Sequence, residues 1–244
     1  MNLPAAAAVH ARGKPQTSMA RHAAWAHLLF RPYLDHLLRS SFHEVTLLGE
    51  PPRADANLPV VLVGNHATWW DGFFPYLLNE RLLHRRFHIL MLEEQLARFP
   101  FFRRLGAFGI SPGLPRSVLG TLRYAASLLE RPGTLLVFFP QGELLPFRTR
   151  PLGFRRGLDK LLELHGGPVT ILPFVLRCEL QGERRPHAWL MTAPARTASP
   201  ESPLDLPALE REMEGMLDRL ESEVMRGTRG MSLLGRVPAM EVAG

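Results

Sequence analysis

Three short apolar runs, each closed by a polar or proline-bearing turn, limit this chain to few architectures. They are Pro59-Val60-Val61-Leu62-Val63, Thr134-Leu135-Leu136-Val137-Phe138 and Val169-Thr170-Ile171-Leu172-Pro173-Phe174-Val175. Runs of this length that are apolar without alternation read as strands buried on both faces. Residues 43–48, 87–92 and 187–192 add further strand patterns. Between them the periodicity is helical, over 71–84, over 116–129 with Val118, Leu119, Leu122, Ala125, Ala126 and Leu129 inward, and over 157–165, which Gly166-Gly167 ends. Leu206, Leu209, Met213, Met216, Leu217 and Leu220 mark a closing helix whose methionines fill a core. Such alternation predicts an α/β fold, a layered single domain with a central mixed, largely parallel sheet flanked by helices. At 244 residues, 46% apolar and 21% charged, one domain over 18–226 is expected. Residues 1–17 and 227–244 read as flexible ends and 194–207 as a proline- and serine-rich connector.

An amphipathic helical segment precedes the first strand, over 18–42. Ala26, Leu29, Phe30, Tyr33, Leu34, Leu37 and Leu38 recur at helical spacing while Arg31, Asp35 and Arg39 share the other side, and Pro32 predicts a bend or restart. Two uses are open. The helix can cover the core, or lie in a membrane interface, for which Trp25, Tyr33 and flanking arginines are suited. The aromatics of Phe99-Pro100-Phe101-Phe102, abutting Arg103 and Arg104, have the same two uses. No uninterrupted apolar stretch reaches bilayer length, and the patch Ala5 to Val9 is too short for a secretory signal. A cytoplasmic protein, peripheral on the inner face of the cell membrane, is therefore expected.

The chemistry concentrates where two of the strands end. The first run leads into Gly64-Asn65-His66-Ala67-Thr68-Trp69-Trp70-Asp71-Gly72, and the second into Phe139-Pro140-Gln141-Gly142-Glu143. Histidine titrates nearest neutrality, so a carboxylate that fixes its tautomer makes it a competent general base. Asp71 can fold back to His66 if the chain turns from strand to helix there; otherwise it is a helix-capping aspartate beside a loop histidine. Two polar turns on neighbouring strands face one crevice, the usual ligand site of open α/β sheets.

In this order and separation the blocks resemble the glycerolipid acyltransferase family, which includes bacterial 1-acylglycerol-3-phosphate acyltransferases. The family's N-H-x-x-x-x-D block is complete in Asn65, His66 and Asp71, with Thr68 where serine is common. Its F-P-E-G block is altered: Gln141 replaces the glutamate, and Glu143 follows two positions later. Its F-K-x-G element is similar to Phe154-Arg155-Arg156-Gly157, and its last strand to 169–175. The G-x-x-x-x-x-R block departs, because counting from Gly106 puts Pro112 at the arginine position and the next arginine is Arg116. The resemblance runs over 45–175. It implies transfer of a fatty acyl group from a thioester donor, acyl-CoA or an acyl carrier protein, to the hydroxyl of a lysophospholipid or related lipid. His66 would be the base and Asp71 its orienting acid. Asn65, Thr68, Arg116, Gln141, Gly142, Glu143 and Arg155 would bind substrate, with phosphate on Arg116 and Arg155. The amides of 141–143 would meet the oxyanion. No bound cofactor or metal is implied. The acceptor stays open because the arginine block is the one that departs.

Other readings compete. Gly109-Ile110-Ser111-Pro112-Gly113 matches the G-x-S-x-G of serine hydrolases, with Asp159 and His187 following in order. Yet Pro112 has no N–H to give an oxyanion. A non-catalytic lipid-binding protein of the same fold is a third possibility. His84 and His88 could share a helix face, but no acid completes a zinc pattern. A lone Cys178 cannot make an internal disulfide. All but Lys14 and Lys160 of the 29 basic residues are arginine and the net charge is +6, which suits anionic headgroups and phosphates. Nucleic-acid recognition motifs do not occur.

Overall fold

The computed structural model describes residues 18–235. Nine strands form one sheet: β1 (Glu44–Leu48), β2 (Val60–Gly64), β3 (Arg86–Leu92), β4 (Ala107–Ile110), β5 (Thr134–Phe138), β6 (Val169–Glu179), β7 (His187–Thr192), β8 (Arg196–Ala198) and β9 (Met231–Ser232). The spatial order is β4-β3-β5-β2-β6-β7-β1-β9, with β8 beside β6. The block β4-β3-β5-β2-β6 is parallel throughout, and β7, β8 and β9 each run antiparallel to a neighbour. The sheet is thus mixed and largely parallel, with helices on both faces.

Period-2 alternation within the apolar strands sorts their side chains between two cores. Val61, Val63, Leu136 and Phe138 face one layer, where α4 (Pro115–Leu128), α5 (Gly157–His165) and α6 (Leu206–Met225) pack. Val60, Leu62, Leu135 and Val137 face the other, under α1 (Ala24–Ser41) and α2 (Phe73–Leu78). A short α3 (Glu93–Arg98) follows β3. Both faces of β2 and β5 are therefore dry, which is why those runs lack polar alternation.

Several local expectations are revised. The helix over 71–84 is three pieces: a 3-10 turn Trp69–Gly72, α2, and a π-turn Asn79–Leu83 that ends with His84 left-handed at φ 52°. His84 and His88 consequently share no helix, since His88 lies in β3. Helix α1 runs through Pro32 without a restart. Leu28, whose carbonyl the proline leaves without its usual donor, is solvent-exposed, so water can take over that bond. The segment 194–207 contains β8. The chain beyond Arg226 is not a free tail over its described part. Met231 and Ser232 pair with β1, and Leu233 and Leu234 are buried, their carbonyls accepting from Arg81 and Arg39. The expectation for 1–17 lies outside the described residues, as does that for 236–244.

Candidate active site

Because β2 and β5 are parallel neighbours, their C-terminal ends open on the same rim, and the two polar turns meet there. Asp71 is wholly buried, and four donors converge on its carboxylate. Its Oδ2 accepts from His66 Nδ1 at 2.8 Å, Ala67 N at 2.5 Å and Thr68 N at 2.9 Å, while Oδ1 takes the Thr68 hydroxyl. The local sequence builds this. Thr68 is the N-cap of the 3-10 turn and accepts from Trp70 N, and Asp71 closes the reciprocal capping box. The imidazole therefore holds its proton on Nδ1. Nε2 keeps its lone pair, and no protein group among the described residues hydrogen-bonds it. The ring is 28% exposed and stacks on Phe139, with centroids 4.5 Å apart and planes 13° apart.

The backbone under the ring is clamped from two sides. Gln141 is 2% exposed, and its Oε1 accepts His66 N at 2.6 Å; Leu145 N reaches His66 O at 2.9 Å. Gly64 lies flat below, because a Cβ there would collide with the Phe174 ring and crowd Phe139. Asn65 is 2% exposed and spends both ends of its amide on Leu176, 3.1 Å to the carbonyl and 2.9 Å from the N–H. Asn65 therefore locks β2 to β6. Thr68 and Gln141 likewise hold the turn in shape.

The 141–143 turn departs from the expected row of free amides. Gly142 is left-handed at φ 70°, and its N–H is spent on Phe139 O at 3.1 Å. Among the described residues no partner meets the N–H of Gln141 or Glu143; Gln141 is buried, and Glu143 is exposed at the surface of the site. Glu143 forms an ion pair with Arg155 across Gly142. Arg155 thus sits at the site already paired. Arg116, at the start of α4, is on the same rim but three strand positions away, about 14 Å across the sheet. The thiol of Cys178 is pushed up to about 12 by burial and then by the Asp71 charge, so it is no nucleophile at neutral pH.

The hydrolase constellation does not assemble. Ser111 follows β4 and His187 opens β7, five strand positions or about 24 Å apart. His187 instead bonds Thr46 at 2.8 Å and stacks on Trp189, and Asp159 pairs with Arg156. No cluster of three or more metal-ligating side chains occurs among the described residues.

One feature of the rim escaped sequence reasoning. At or beyond the C-terminal ends of β2, β3, β4, β5 and β6 stands an exposed large apolar side chain, respectively Trp69, Leu92, Leu114, Leu144 and Leu180, all 48–69% exposed. Isolated leucines in loops give no periodic signal. Only the parallel topology shows that they belong to one rim of the sheet. From Trp69 an aromatic path continues through Phe73 to Phe30 and Phe102, which line a cavity of about 500 Å³ between α1 and the segment Arg98–Phe102.

An imidazole oriented by a buried carboxylate, an exposed backbone N–H and exposed apolar side chains thus share one end of the sheet. The acyltransferase family profile matches residues 45–177. More than half of the chain is covered, and the protein belongs to that family. Among solved structures it is similar to the 1-acyl-sn-glycerophosphate acyltransferase PlsC from Thermotoga maritima, at 16% identity over 78% of each chain, with a TM-score of 0.49. No curated protein matches it.

Proposed function

We propose that this acyltransferase moves a fatty acyl group from a thioester, acyl-CoA or an acyl carrier protein, to a hydroxyl of a lysophospholipid or related lipid. His66 Nε2 takes the proton of the acceptor hydroxyl as its oxygen attacks the thioester carbonyl. The new C–O bond forms, the C–S bond breaks, and the imidazolium returns the proton to the leaving thiolate. Asp71 holds the ring in the productive tautomer and stabilises its charge. The exposed amide of Glu143 receives the oxyanion. Among the described residues no serine or cysteine hydrogen-bonds His66 Nε2, which supports direct attack without an acyl-enzyme. Arg155 takes the acceptor phosphate in exchange for Glu143, and Arg116, further along the rim, attracts it by charge.

The carrying observation is the 2.8 Å bond from His66 to the fully buried Asp71, at a rim of exposed apolar side chains. Membrane contact follows from α1. Its inner stripe, Ala26, Phe30, Leu34 and Leu38, is core, whereas Trp25, Leu28, Leu29 and Tyr33 are 51–72% exposed on the outside. The inner stripe covers the core, and the exposed outer face supports the reading that α1 also lies against a bilayer. No helix among the described residues is long and apolar enough to cross a membrane. The deciding test incubates purified protein with a labelled acyl thioester and a panel of lipid alcohols, read by mass spectrometry. Acyl transfer to one class of lipid hydroxyl is expected. Vesicle binding without thioester consumption by any acceptor would leave only a lipid-binding protein.

A further inference from the structure

At the opposite rim of the sheet, where β3 and β5 begin with Arg86 paired to Thr134, a second cavity of about 240 Å³ opens between the segment before α1, β3 and α4. It is separated from His66 by the length of the strands, about 17 Å or more. Arg86, Arg131, His22, His88, Tyr124 and Ser127 line it, and no carboxylate does. Both guanidiniums are exposed, and neither forms an ion pair or side-chain hydrogen bond with another described residue. Inside, the His22 and His88 rings meet edge to face with centroids 4.7 Å apart. His88 is 2% exposed, and His88 Nδ1 and His22 Nε2 are buried without a protein partner. Buried polar atoms of this kind are rare in a folded chain and call for a ligand or a role.

Charge decides what kind of ligand. A cation would use the imidazole lone pairs, but two unpaired guanidiniums repel it, and the described residues bring no third ligand to the pair. An oxyanion would meet two guanidinium forks, imidazole N–H groups turned to it by choice of tautomer, and the Tyr124 hydroxyl, which accepts from Ala20 N and keeps its own proton to give, whereas the Ser127 hydroxyl is already donated to Tyr124 O. The volume admits a phosphate and a few further heavy atoms, about eight water volumes in all, and excludes an acyl chain. We propose that this cavity is a binding site for a phosphate group, distinct from the acyl-transfer site. An occupant would join Ala20 and His22, just before α1, to β3 and α4, so binding stabilises the seat of the N-terminal helix.

The test titrates the full chain with inorganic phosphate at constant ionic strength, following heat and melting temperature. Saturable binding of one equivalent, with a rise in melting temperature that chloride does not reproduce, is expected. Arg86→Gln with Arg131→Gln should weaken it at least about tenfold, the equivalent of losing one charge-assisted hydrogen bond. Arg116→Gln with Arg155→Gln should leave it within about twofold, which separates this site from an acceptor phosphate at the other rim. Competition by phosphatidylglycerol vesicles, dependent on Arg86 and Arg131, would assign the phosphate to a lipid headgroup; competition by glycerol phosphate alone would assign it to a soluble molecule. Absence of saturation, equal stabilisation by chloride, indifference to the Arg86/Arg131 pair, or preferential binding of zinc would overturn the proposal.

Discussion

Replacing Asp71 by asparagine separates what the carboxylate does for the fold from what it does for the imidazole. The amide oxygen can take the place of Oδ2, keeping Ala67 N, Thr68 N and His66 Nδ1, while the amide NH2 turns to the Thr68 hydroxyl, which can accept. Three donors then trade a charged acceptor for a neutral one, a cost of about 1–3 kcal/mol in stability. The rate suffers differently. An imidazolium and carboxylate whose charge centres are about 4 Å apart interact by about 4 kcal/mol in a partly solvated setting. Keeping the dipole and losing the charge forfeits about 2–4 kcal/mol of transition-state stabilisation, or roughly 30- to 1000-fold in kcat/KM. The opposite amide rotamer would donate to Nδ1 and move the ring proton to Nε2, which also abolishes the base. Release of thiol from an acyl thioester in the presence of lysophosphatidic acid measures the loss, with melting curves run in parallel. A variant that folds and retains kcat/KM within about threefold of the parent would refute the reasoning.

Further outcomes follow from other contacts. Gln141→Ala removes the acceptor of His66 N and should slow transfer with about 1 kcal/mol lost in stability; Gln141→Glu, which keeps an acceptor there, should stay near the parent in both readouts. Gly64→Ala forces Phe174 and Phe139 aside, costing about 1–3 kcal/mol of stability by denaturant titration and disturbing the ring on which His66 stacks. Ser111→Ala should leave thioester turnover unchanged, since the serine has no histidine near it. His22 and His88 are pulled down to about 4 and about 3, mainly by burial and then by Arg86 for His22, and by burial and then His22 and Arg86 for His88. Unfolded, they titrate near 6.5, so below that pH the unfolded chain binds more protons and the folded state loses stability. Stability, read as melting temperature, should therefore be steady above pH 6.5 and fall as the pH drops from 6.5 through about 4 and about 3, the two histidines together costing on the order of a few kcal/mol.

Much of this was legible because burial on both faces leaves a one-dimensional mark. The strands at 60–64, 134–138 and 187–192 and the helix 157–165 were readable from apolar runs and a glycine stop. What was not legible depends on partners distant in sequence. β4 hides in glycine-containing residues that mimic a hydrolase elbow, and β9 is two residues whose pairing with β1 comes from the far end of the chain. At the site, the His66–Asp71 pair is local and visible as a motif. The duties of Asn65 and Gln141 are not, since a polar side chain beside a catalytic motif looks like a ligand until the register of β2 with β6 and β5 shows which backbone it clasps. Gly142 failed as a donor for a similar reason: the left-handed turn that lets the chain pass Arg155 also consumes its N–H.

The central claim is that His66 Nε2 accepts the proton of a lipid hydroxyl. His66→Ala, checked for fold by circular dichroism and melting, and assayed for thiol release and acylated product with the acceptor identified from the panel, tests it directly. Loss of about 10²–10⁴-fold in turnover with the fold intact is predicted; a folded variant that transfers acyl groups at close to the parent rate would contradict it.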